Sequence, residues 1–80
     1  MTDKHKALSP EEESLIAGQV SAKLLAKHTV AAGDSLSKIA EQHYGDSSKW
    51  QAIYVANKDI IGDDPNQIEV GQVLKVPELD

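Results

Sequence analysis

The side chains in this chain that could do chemistry are few and scattered. His5, His28 and His43 stand at least fifteen residues apart, no cysteine accompanies them, and none has a partner at ligand spacing, so no metal site is expected. Asp59, Asp63 and Asp64 make an acidic stretch that could draw a cation. The ordered oxygen ligands and bidentate acid of a calcium loop are absent, however, and the stretch reads as a solvated loop. The acid pairs Glu11/Glu12 and Asp63/Asp64 are neighbours in sequence and cannot flank a scissile bond as general acid and base. No phosphate-binding glycine loop, nucleophile elbow or metal motif occurs, so neither catalysis nor a cofactor is expected. What remains is Gly33-Asp34-Ser35-Leu36, a glycine turn running into a helix cap, and its counterpart Gly71-Gln72-Val73-Leu74 near the end of the chain.

The elements around these residues follow from local signals. Ser9-Pro10-Glu11-Glu12 is a helix start, with Ser9 as N-cap, Pro10 in the first turn and Glu12 completing a capping box. Ile16, Val20 and Leu24, spaced by four, predict one apolar stripe on a helix from about Pro10 to Ala26. Thr29 and Val30 favour extended backbone, so a first strand is expected over His28–Ala31, broken by Ala32-Gly33. Asp34 or Ser35 caps a helix carrying Leu36, Ile39, Ala40 and His43/Tyr44 at three-four spacing, and Gly45 stops it. Asp46-Ser47-Ser48 opens another helix from about Lys49 to Asn57, with Trp50, Ile53, Tyr54 and Asn57 inward. Lys58 to Glu69 reads as a loop turned by Asp64-Pro65-Asn66 and anchored by Ile68. Val73–Val76 is a closing strand, buried through Leu74 and Val76 and ended by Pro77. The order strand, helix, helix, strand predicts an α+β module, a two-stranded antiparallel sheet under two helices, with an extra N-terminal helix. The division is a tail and amphipathic helix over residues 1–27 and a domain over residues 28–80.

Charge narrows the partners. Residues 1–27 balance four lysines against four acids, whereas residues 28–80 set four lysines against nine acids, so the net −5 lies on the C-terminal module. Such a surface repels phosphate backbones and anionic lipid, and neither nucleic acid nor membrane is expected. No stretch approaches the ~18 apolar residues of a membrane span. Met1-Thr2-Asp3-Lys4-His5-Lys6 leads into no apolar signal region, so a cytoplasmic location is expected for the chain as written, envelope contact requiring signal-independent export.

The residues Thr29-Val30, Gly33-Asp34-Ser35-Leu36, Ile39-Ala40, Tyr44-Gly45, Ile53, Asn57, Ile68, Gly71-Gln72-Val73-Leu74 and Val76-Pro77 together resemble the lysin motif (LysM) family over residues 28–77. The resemblance implies the same strand-helix-helix-strand fold in a bacterial protein. It also implies non-catalytic binding of N-acetylglucosamine-containing glycan, peptidoglycan or chitin, in a shallow groove between two loops. Carried onto this chain, the first loop is Ala32, Gly33, Asp34, Ser35 and Leu36, and the second is Asp59, Ile60, Ile61 and Gly62. Glycine admits backbone amides to the N-acetyl groups, and Ile60 or Ile61 could meet their methyls, one of the two being a core anchor. Trp50, Tyr44 and Tyr54 are expected to be core side chains before sugar platforms.

The second loop departs from the commoner pattern, because Lys58 follows Asn57 where many members carry proline. The variant Asn57-Lys58-Asp59-Ile60-Ile61-Gly62-Asp63 is similar to a subgroup in small cytoplasmic bacterial proteins and phage-tail-like machinery, some of which use the fold for assembly or ion response. A related family joins such a unit to potassium binding with an added domain. The alternative to a glycan reader is therefore an assembly or interaction protein, associating with itself or a partner through Ile16, Val20 and Leu24.

Overall fold

The computed structural model describes residues 9–79, which leaves the polar start of the chain, His5 included, outside the described residues. Helix α1 (Pro10–Ala17) begins with the expected capping box: the Glu12 amide donates to Ser9 Oγ at 3.2 Å and the Ser9 amide to Glu12 Oε1 at 3.3 Å. It ends much earlier than the stripe predicts. Gly18 is its C-cap, and from Val20 the chain is a strand, β1 (Val20–Thr29). The expected helix to Ala26 is thus half strand. Ile16 stays on α1, while Val20 and Leu24 lie in the sheet, so the three do not form one stripe.

The partner of β1 explains the change. Strand β2 (Val73–Leu79) runs through Pro77 instead of ending there, and it pairs antiparallel with β1 from Thr29↔Val73 to Val20↔Leu79. Strand β1 therefore starts eight residues before His28 and crosses the expected boundary between residues 27 and 28. The register is irregular between Val20 and Leu24 and again between Leu24 and Ala26, and Pro77 pairs with Leu24 within that stretch. A proline is tolerated where the ladder is already interrupted. Its carbonyl is used as well, accepting the Tyr44 hydroxyl proton.

Helix α2 (Leu36–Tyr44) is capped by Ser35, whose hydroxyl accepts the Lys38 amide, and stops at Gly45, where φ of 71° suits a residue without Cβ. A 3-10 turn (Ser47–Lys49), capped by Asp46, leads into α3 (Trp50–Ala56). Asn57 lies just past this helix, and a further turn, α4 (Lys58–Ile61), occupies the first part of the stretch expected to be loop.

Two strands alone cannot hold a sheet in water, so the helices cover one face of it. Val30, Leu36, Ile39, Ala40, Ile53, Tyr54, Ile61, Leu74 and Val76 form a single core, with Ala26, Tyr44, Trp50 and Ile68 packed at its edge. Helix α1 buries no residue of its own and lies against α3. An ion pair from Lys58 to Glu13, 2.6 Å long, ties it to α4. This is the α+β arrangement the sequence implies, two antiparallel strands under helices with an added N-terminal helix.

Candidate functional site

The first loop is a turn built by one carboxylate. Asp34 accepts the Ala31 amide at 2.8 Å through its side chain and donates its own amide to the Ala31 carbonyl at 3.0 Å. Gly33 sits between them with φ of 85°, the left-handed region that costs an L-residue about 1–2 kcal/mol. Lys38 Nζ reaches back from α2 to the Gly33 carbonyl at 3.1 Å. Ala32 and Gly33 are exposed, and Asp34 and Ser35 are half-buried. Leu36 corrects the expected list: the whole residue is buried in the core at 0% exposure, so it anchors the loop from below and presents no surface to a ligand. As the first helical residue it has no intrahelical acceptor for its N–H.

The second loop is a helical turn instead of an open loop. The Asn57 carbonyl accepts the amides of both Ile60 and Ile61, and the Gly62 amide donates to the Lys58 carbonyl. Asp59, Ile60 and Gly62 are exposed, Ile60 at 42%, whereas Ile61 is 6% exposed and belongs to the core. Ile61 is the core anchor expected of one of the two isoleucines, and it leaves the set of side chains exposed to a ligand. Tyr54, buried beneath, donates its hydroxyl proton to the Gly62 carbonyl at 2.8 Å. Leu36 and Ile61 share one core, so a buried aliphatic anchors each loop from below. Trp50 lines a different hollow of about 400 Å³, shared with Ile16 and Gln19 near α1, with Ser48 and Lys49, and with Leu79.

Two features escape sequence spacing. Asn57 is fully buried and fully bonded: its Nδ2 donates to the carbonyls of Ile53 and Lys75, and its Oδ1 accepts the Lys75 amide, each at 2.8 Å. It staples the end of α3 to β2. The second feature joins two histidines. His28 Nε2 lies 2.9 Å from Asp34 Oδ2, and His28 Nδ1 lies 3.0 Å from His43 Nε2, the rings meeting edge to face. The fifteen-residue separation concealed a contact that the fold makes by setting β1 against the last turn of α2. One signal was available, since His28 alternates with Ala26 on β1 and with Val30 just past it, and His43 lies four residues beyond Ile39.

The electrostatics follow from these contacts. The Ala31 amide, then His28, hold the Asp34 carboxyl below the usual carboxylate range. Burial, then the charge of His28, pushes His43 down. Burial pushes Tyr44 up to about 12. Among the described residues no group of three or more histidine or acidic side chains could hold a metal ion, and no helix is long and apolar enough to cross a membrane.

A LysM domain profile matches residues 28–77, more than half of the chain. The chain belongs to the LysM family. It is 43% identical over 51 residues to the Potassium binding protein Kbp of Escherichia coli O6:H1, a match covering 64% of this chain and 34% of that protein. It is 44% identical over 50 residues to an uncharacterized protein of Deinococcus radiodurans, covering 62% and 19%. It is equally similar to Esterase Rv1288 of Mycobacterium tuberculosis, covering 62% and 10%. This LysM chain therefore spans about a third or less of the length of those relatives, and no solved structure matches it. The matched residues begin at His28, near the end of β1, so all of that strand before His28 lies outside the family match, as does α1.

Proposed function

We propose that this chain is a non-catalytic binding module for N-acetylglucosamine-containing glycan, peptidoglycan or chitin. The observation that carries the reading is the first loop of a LysM domain, exposed at Ala32 and Gly33 and held in one shape by Asp34. A turn fixed before the ligand arrives has less ordering entropy to lose on binding. The exposed backbone of Ala32 and Gly33 offers polar groups to the N-acetyl group, while exposed Ile60 offers an apolar contact to the sugar face or the acetyl methyl. The second loop contributes through Asp59, Ile60 and Gly62.

The test is an amide-shift titration of the ¹⁵N-labelled protein with N-acetylglucosamine oligomers. Shifts clustered at Ala32–Leu36 and Asp59–Gly62 are expected. Silence in both loops at millimolar ligand overturns the reading and leaves the scaffold alternative, an assembly protein that keeps the fold without the sugar. That alternative has one observation in its favour: Leu24 and Leu25 are 44% and 50% exposed on a strand belonging to a two-stranded sheet. Sedimentation of the wild type and of Leu24→Asp tests it, since only an associating protein changes mass with the substitution.

A further inference from the structure

We propose that His28 and His43 are positioning residues for the first loop, holding the Ala31–Asp34 turn in its binding shape at neutral pH and releasing it when both imidazoles carry charge. The proposal rests on the glycan reading of that loop and adds its regulation.

The contact is a chain of three side chains from three parts of the fold: Asp34 from the turn, His28 from β1 and His43 from α2. An ionised carboxylate only accepts, so His28 donates to Asp34 from Nε2. Nδ1 of neutral His28 then accepts, and His43 donates from Nε2. One further proton is accommodated without breaking the chain. His28 carries hydrogen on both nitrogens, and His43 accepts at Nε2 with its own proton on Nδ1. A second further proton sets N–H against N–H across a gap of 3.0 Å, and the bond between the rings is lost. Both rings are half-buried and meet at 89° with centroids 5.1 Å apart, so two charges there are also poorly hydrated. Charge on His28 strengthens its own bond to Asp34, so what releases the turn is the repulsion between the two imidazoliums, which drives His28 out of the rotamer that brings Nε2 to the carboxylate.

The other charged groups near the three side chains lie on α2, β1 and β2. Lys38 of α2, bonded to the Gly33 carbonyl, is the other charge acting on Asp34. Strand β2 sets Leu74 opposite His28, and the next pair, Lys27↔Lys75, is exposed on the other face of the strands. Glu41 of α2 is exposed. Asp34, held below the carboxylate range, stays ionised while the histidines titrate.

The experiment compares the wild type with His43→Gln at about pH 8 and about pH 5, on either side of the ordinary histidine range. A glutamine carboxamide offers His28 a donor or an acceptor and does not titrate. Two readouts are taken where the amides of Ile39, Ile53 and Leu74 keep native shifts: the exchange protection of the Ala31 amide, and the affinity for an N-acetylglucosamine oligomer. In the wild type, Ala31 protection and affinity are each expected to fall about fivefold at the acid end, the worth of one hydrogen bond. In His43→Gln both are expected to stay level. Wild-type protection at Ala31 that ignores the ring-nitrogen titration of His28 and His43 overturns the proposal, and this arm needs no variant. An equal acid loss in His43→Gln overturns it too. If Ala31 responds as expected while no oligomer binds at either pH, the positioning role stands and the glycan reading fails.

Discussion

Asn57 shows how much of this small fold hangs on one polar side chain. Its carboxamide bonds two carbonyls and an amide, on α3 and on β2, in a site without solvent. Asn57→Ala removes all three bonds and leaves the Lys75 amide and two carbonyls facing a cavity. A loss of about 3 kcal/mol in urea unfolding is expected, since a buried unsatisfied group costs about 1–3 kcal/mol. The sequence places Asn57 on the inward side at the end of its helix, but its partners come from Lys75, eighteen residues later, and no local pattern carries that. His43 was legible in the same limited way, as an inward position on α2 with an unknown neighbour. Its lowered pKa makes a prediction of definite sign. As pH falls, unfolded His43 takes up a proton before folded His43 does, so its contribution is full above the ordinary histidine value and is lost as pH drops through the lowered one. The urea midpoint should fall between about pH 8 and about pH 5, and should fall less in His43→Gln. Asp34, also lowered, adds its own loss in the same direction only in the more acid carboxylate range.

Strand β1 is the element where sequence and structure part, because two periodicities overlap there. Ile16, Val20 and Leu24 fit a helix; Leu24, Ala26, His28 and Val30 fit a strand at period two. An isolated reading favours the helix, since the capping box at Ser9 starts one and no proline interrupts it. The choice is made by β2, which continues past Pro77 to Leu79 and pairs with Val20. Gly18 sits where the helix gives way. What α1 retains is an eight-residue helix that buries nothing, held by half-buried Ile16 and the Lys58–Glu13 ion pair. Its ends are therefore expected to open independently of the core. Ser9→Ala removes a capping bond worth about 1 kcal/mol. Amides of α1 should then exchange about fivefold faster, while the global unfolding free energy changes by less than about 0.5 kcal/mol. Exchange that accelerates equally in α1 and α3 would show instead that the helix is part of the cooperative unit. The strand-helix-helix-strand order itself was readable from the turns at Gly33 and Gly45 and the apolar spacing between them, because those signals are local.

At the scale of the whole molecule, a module of radius of gyration 11.4 Å would, on the proposed glycan reading, present a short rim to a long polymer. The exposed members of the proposed site are few: Ala32 and Gly33 on one loop, and Asp59, Ile60 and Gly62 on the other. Leu36 and Ile61 have been withdrawn into the core, which makes the rims rigid and also makes the contact area small. Contacts of that size bind a single oligomer weakly, and a repeating glycan offers the remedy of a second module on the same strand. After the first module binds, the second meets its site at an effective concentration in the millimolar range for a short flexible linker. Two copies joined by a Gly/Ser linker should therefore bind insoluble peptidoglycan or chitin about a hundredfold more tightly than one copy. The same tandem should bind a short oligomer, too short to reach both grooves, with the affinity of the single module per site. Pull-down on the polymer and titration with the oligomer separate the two effects. A tandem that gains on both ligands would mean that the joined copies create a new site; one that gains on neither would mean that the polymer never engages the loops.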